Sequence, residues 1–191
     1  MKEERQPSVL TQLRQQTPAR ALTPSEARQV LERQATRLLK LTGVSGPPVP
    51  IEEIITGLPR VEFKRHTPLP ASGRTQWAGR GWVILVDSGE AKVRQRFSLG
   101  HELAHVVYHA LADTVLPAYK DQTAEGRLEQ ACEYFAACLL MPRTWLKRAY
   151  YEGIQDVPSL ARLFGVSWVA LRVRLEQLGL EASDERARSA A

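Results

Sequence analysis

Two histidines four positions apart bracket a glutamate in the run His101-Glu102-Leu103-Ala104-His105. On a helix, positions i and i+4 differ by about 40°, so both imidazoles point to one side and can share a Zn²⁺. Glu102 lies beside that face, within reach of a metal-activated water, which is where a general base for peptide hydrolysis belongs. Phe97, Leu99, Leu103, Ala104, Val106 and Val107 surround the run with apolar residues, as a buried helix requires. Two helical histidines can also be ordinary hydrogen-bonding residues, so the metal reading depends on a third ligand.

A catalytic zinc generally takes three protein ligands and keeps one position open. The metzincin arrangement, with a further histidine six residues past the second, is excluded because Leu111 stands there. His109 follows about two turns after His101, which places it at the helix end or behind the ligands rather than among them. The remaining candidates are Glu125, Glu129 and Glu133, spaced one helical turn apart in a second predicted helix. A solvated acidic face would give the same stripe. That helix is otherwise apolar (Ala131, Cys132, Phe135, Ala136, Leu139, Leu140), so it must pack closely, and a carboxylate drawn into such packing needs a cation. Spacing alone does not choose between Glu129 and Glu133.

The elements that must position these residues follow from periodicity and breaks. Thr23-Pro24-Ser25-Glu26 is a capping box with proline at the first helical position. Val30, Leu31, Ala35, Leu38 and Leu39 then recur at helical spacing up to Gly43. Gly46-Pro47-Pro48-Val49-Pro50 is a hard break, and Ile51 to Gly57 reads as a short helix. Val61 to Lys64, Arg74 to Ala78 and Gly81 to Val86 read as strands, with Gly79-Arg80 as a tight turn between the last two. Helices are predicted near 94–112, 124–140, 143–151, 157–164 and 168–178. Residues 1–21 are polar and basic without apolar period and are expected to form a flexible arm; 181–191 read as a flexible polar tail. The expected fold class is α+β: a small antiparallel β-sheet packed on a helical bundle, in one domain over 22–180.

Arg96-Phe97-Ser98-Leu99-Gly100 directly before His101, and Glu129-Gln130-Ala131-Cys132-Glu133-Tyr134-Phe135-Ala136-Ala137-Cys138-Leu139-Leu140-Met141-Pro142 after it, resemble the ImmA/IrrE family of zinc metallopeptidases. The family pattern is arginine, phenylalanine, Thr or Ser, leucine and any residue before the two-histidine run. A second motif follows, Glu-x-x-Ala-Asn-x-Phe-Ala-Ala-x-Leu-Leu-Met-Pro. Counted back from Phe135 and Met141-Pro142, its first glutamate is Glu129. The resemblance therefore implies His101, His105 and Glu129 as metal ligands and Glu102 as the catalytic base; Glu133 is a second carboxylate one turn from Glu129, placed to stand behind the ligands or to exchange roles with it. It implies a zincin-like active-site helix, Zn²⁺ as cofactor with Mn²⁺ or Fe²⁺ as substitutes, and a protein substrate. Members cleave helix-turn-helix repressors of stress-response or mobile-element genes, so such a repressor is the substrate implied here. The chain departs from the pattern with Cys132 where alanine is usual and Glu133 where asparagine is usual. The similarity runs from about Thr23 to Leu180 and fits the compact single-domain members.

Residues 157–180 have helix-turn-helix-like spacing: Ala161 permits close helix contact, Gly165 the turn, and Leu171 packs the second helix. Arg172 and Arg174 are candidate DNA phosphate contacts. Packing that closes the peptidase domain is the favoured role of this segment. The competing function is a non-proteolytic binding module that contacts DNA or a DNA-binding partner through these C-terminal helices. A net charge of +5 and a pI near 9.5 permit that function without requiring it. Glu102 speaks against it, since binding alone has no need of a base. Tyr108, Tyr150 and Tyr151 are candidate donors to a transition-state oxyanion, and the sequence does not choose among them.

The 191 residues, 43% hydrophobic and 25% charged, suit one globular domain. No apolar run approaches the roughly 20 residues of a spanning helix, and the first residues lack the apolar centre of a secretory signal. Cys132 and Cys138 fall on different faces of one predicted helix, too far apart for a disulfide, which fits a reducing compartment. The expectation is a cytoplasmic protein with no membrane partner.

Overall fold

The computed structural model describes residues 7–109 and 123–181. Helices α1 (Val9–Gln15), α2 (Pro24–Leu41) and α3 (Ile51–Thr56) precede strands β1 (Val61–His66), β2 (Gly73–Trp77) and β3 (Trp82–Asp87). Helices α4 (Lys92–Tyr108), α5 (Ala124–Leu140), α6 (Arg143–Tyr151), α7 (Val157–Phe164) and α8 (Trp168–Gln177) follow. The class is α+β, with a three-stranded sheet beside the helices. No helix among the described residues is long and apolar enough to cross a membrane.

The sheet is mixed rather than wholly antiparallel, in the order β1-β3-β2. β2 and β3 form the expected hairpin, with Thr75 opposite Ile84 and Trp77 opposite Trp82. Its turn is closed by the Ala78 N–H donating to the carbonyl of Gly81 at 2.8 Å. β1 instead runs parallel to β3, Val61 opposite Trp82, because the connection after His66 carries the chain past β3 to its far edge. A tight turn is written in local sequence, whereas a parallel pairing is decided by tertiary packing. β3 is therefore the central strand, and its Val83, Ile84 and Val86 are buried.

α1 corrects the expectation of a flexible arm over 1–21, for residues from 7 onward. The Ser8 side chain caps the helix, and Leu10 and Leu13 enter the core. Arg14 donates to the carbonyls of Val106 at 2.7 Å and Val107 at 3.1 Å, which ties α1 to α4. Three apolar positions in seven residues, Val9, Leu10 and Leu13, give too little period to read, and the contact with α4 supplies the missing stability. Of the tail expected over 181–191, all but Glu181 lies outside the described residues.

α4 and α5 cross at the centre of the bundle. Leu99 and Leu103 of α4 and Phe135, Leu139 and Leu140 of α5 are fully buried. Gly100 faces Ala136 at the crossing, where a Cβ on the glycine would lie 3.4 Å from the alanine methyl. The C-terminal helices close the bundle. Gly165 ends α7 with φ of +64°, a left-handed conformation that costs glycine little. Arg96 of α4 holds that turn, donating to the carbonyls of Gly165 and Val49 at 2.9 Å each.

Candidate metal centre

The α4–α5 crossing sets the histidines of one helix against the glutamates of the other. α5 is started by Thr123, whose hydroxyl accepts from the Gly126 N–H at 3.1 Å. Nε2 of His101 lies 3.1 Å from Nε2 of His105 and 3.1 Å from Oε2 of Glu129. Nε2 of His105 lies 3.2 Å from Oε1 of the same glutamate. Nitrogen and oxygen ligands about 2.1 Å from a tetrahedral zinc sit roughly 3.4 Å from one another, so this spacing fits such an ion. The donor set suits it too: two imidazole nitrogens and one carboxylate oxygen. His101, Glu102 and His105 also place their ligand atoms within 4.8 Å of one another.

The electrostatics follow from burial. Removal from water holds His101 below its ordinary range, and the neighbouring His105 adds to this, while Glu129 partly offsets it. Burial pushes the Glu102 carboxyl up; the Thr75 hydrogen bond and His105 oppose the rise, and Glu129 adds to it. A carboxylate raised in this way is a better proton acceptor.

Glu102 is only 6% exposed and lies under β2. The Thr75 hydroxyl is 2.7 Å from Oε2 of Glu102 and 3.1 Å from its main-chain carbonyl. Two positions earlier, on the same face of the strand, Gly73 leaves room for the carboxylate. A Cβ there would stand 2.9 Å from both Cγ and Oε1 of Glu102. Sequence reasoning missed Gly73 and Thr75. Their signal is two small residues at strand alternation ahead of the two-histidine helix, and it acquires meaning only once β2 is known to pack on α4.

The other expected site residues are placed as follows. Glu133 is exposed one turn after Glu129. His109 is set against Trp82, ring centroids 4.7 Å apart, and Trp82 in turn meets Trp77 at 5.4 Å. Tyr108 is buried and donates to Gln34. Tyr150 donates to the carbonyl of Glu181 at 2.6 Å, and Tyr151 is 72% exposed. None of these tyrosine contacts involves His101, His105 or Glu129.

Arg174 requires a correction. Expected as a DNA contact together with Arg172, it is fully buried. It donates to Glu32 at 2.8 Å and to the carbonyl of Met141 at 3.2 Å. α8 turns this side chain inward to join α2, so it has no surface to offer a phosphate; Arg172 is exposed. Burial pushes the thiols of Cys132 and Cys138 up, Cys138 to about 12, so both stay protonated in the core.

A family model described as the IrrE N-terminal-like domain matches residues 60–176. The radiation response metalloprotease IrrE of Deinococcus radiodurans is 36% identical over 63 residues, 31% of this chain and 19% of that protein. A solved structure described as a Mycobacterium tuberculosis transcriptional regulator shares the fold with a TM-score of 0.66 at 20% identity. That match covers 88% of this chain and 52% of the other. The chain thus spans about half of the structural relative and about a fifth of the curated one.

Proposed function

The chain belongs to the IrrE N-terminal-like domain family, a metallopeptidase family, and from that membership we propose that it is a zinc-dependent endopeptidase. The observation that carries this reading is the convergence of His101, His105 and Glu129 to within 3.2 Å, with the buried carboxylate of Glu102 alongside. His101 and His105 would hold the metal through Nε2 and Glu129 through its carboxylate. When bound, Zn²⁺ supplies Lewis-acid activation of water and of the scissile carbonyl, and Mn²⁺ or Fe²⁺ would serve in the same donor set.

The protein's own groups supply the proton traffic and the positioning. Glu102 accepts the proton of the attacking water and returns it to the leaving amine as the C–N bond breaks. Its burial keeps the carboxylate basic, and Thr75 fixes which oxygen faces the site. β2 is an edge strand beside the centre, and its outer edge is a place where a substrate main chain can lie extended.

The substrate we propose is a cytoplasmic helix-turn-helix repressor whose cleavage derepresses stress-response or mobile-element genes. The resemblance to the ImmA/IrrE pattern supports this, as does the name of the Deinococcus relative, a radiation response metalloprotease. The test is incubation of the zinc-loaded protein with a repressor encoded beside its gene, with and without EDTA. A single cut that chelation abolishes is expected. An intact repressor with Zn²⁺, Mn²⁺ and Fe²⁺ alike would overturn the assignment.

A further inference from the structure

Helices α2, α4, α5 and α8 enclose a cavity of about 590 Å³, in the size range of ligand pockets. Phe97 of α4 and Ala131 of α5 give it an apolar floor. On α8, Val169 and Val173 stand one turn apart along its wall and are 74% and 48% exposed. The charged side chains that line it are Arg28, Arg94, Arg127 and Glu133, with Glu90 beside Arg94. Arg28 lies over the ring of Tyr134 at 5.8 Å, and Arg94 is 3.9 Å from Glu90.

The cavity adjoins the metal centre. Phe97 lies one helical turn before His101 on α4, and Glu133 lies one turn after Glu129 on α5. The same two helices that carry the centre therefore continue as walls of the groove.

We propose that this groove binds a segment of the polypeptide substrate, an apolar stretch that carries acidic residues, and so presents the adjoining peptide bond to the metal centre. The proposal rests on the peptidase reading above and names the chemistry of its substrate. Val169 and Val173 are an apolar stripe left facing water, which a covering segment would remove from solvent. The excess of arginine in the lining favours carboxylates on that segment and penalises lysine or arginine there. The placement also gives α8 a function consistent with its inward-turned Arg174: the helix walls a protein-binding groove.

The test uses short fluorescein-labelled helical peptides with leucine on one face and either glutamate or lysine on the other. They are titrated into the full-length protein in EDTA, so that cleavage does not consume the probe. The glutamate peptide is expected to bind about tenfold or more tightly than the lysine peptide. The double substitution Arg28→Glu with Arg94→Glu is expected to reverse that order. Val173→Asp, at an exposed position, is expected to weaken the glutamate peptide about tenfold, with thermal melting confirming that each variant is folded. Equal binding of the two peptides, or an unchanged preference in the double variant, would overturn the groove. Failure of the peptidase reading would show separately, as an uncut repressor in the metal-loaded assay.

Discussion

The hydroxyl of Thr75 is 2.7 Å from Oε2 of Glu102, so an edge strand of the sheet fixes a carboxylate on the neighbouring helix. Thr75→Val keeps the volume and removes the hydrogen bond. A fall in kcat of about tenfold with little change in KM is expected, because the base loses its orientation while the substrate surface is unaltered. Thr75→Ser should restore most of the loss. A parental kcat in the valine variant would show that Glu102 is held by packing alone.

Gly73→Ala tests the same wall from the other side. The added methyl would lie 2.9 Å from Cγ and Oε1 of Glu102, so the carboxylate must move. Displacement of a catalytic group by about 1 Å can cost on the order of 10²-fold in rate. The atoms that the methyl meets belong to Glu102 and not to His101, His105 or Glu129, so zinc stoichiometry by atomic absorption should stay at one per chain while cleavage falls.

Metal and folding are linked through two helices. A ligand that binds only the folded state adds RT ln(1 + [L]/Kd), about 4 kcal/mol when free metal is a thousand times Kd. The core is extensive without the centre, so the metal-free protein should be folded but melt at a lower temperature, with recovery on adding zinc. Glu129→Ala should remove most of that response, and Glu133→Ala should leave most of it. The opposite pattern would make Glu133 the ligand.

Glu32 provides a pH signature remote from the centre. Burial raises its carboxyl, but Arg143 and the fully buried Arg174 outweigh this and hold it below the ordinary range. A carboxyl depressed in the folded state contributes stability that is present above its unfolded pKa and lost as pH falls through the folded one. Glu32→Gln leaves Arg174 without its anion and should cost roughly 3 kcal/mol at pH 7. The deficit should shrink below about pH 4.5, where the parental glutamate begins to lose its charge in the unfolded chain. Urea melts at pH 7 and at progressively acid pH would show the two proteins converging.

The pairing of His101 with His105 in the candidate site was legible because a helix turns spacing into geometry: the two share a face whatever surrounds them. The β2–β3 hairpin was legible for the same local reason, its turn at Gly79-Arg80. The parallel pairing of β1, the docking of α1 through Leu13 and Arg14, and the burial of Arg174 were not. Each is set by a partner distant in sequence, Trp82, Val106 and Glu32 respectively. The choice of Glu129 over Glu133 is an intermediate case. Spacing left it open, the family pattern pointed to Glu129, and the structure places that carboxylate within 3.2 Å of both imidazoles.

The most direct measurement is the rate of repressor cleavage by Glu102→Gln under conditions where its zinc content equals that of the parent. Glutamine keeps the shape and a hydrogen-bonding partner for Thr75 but cannot accept the proton of the attacking water. One zinc per chain and a rate lowered on the order of 10²-fold or more is the predicted result. Cleavage at the parental rate with zinc bound would contradict the assignment of Glu102 as the base.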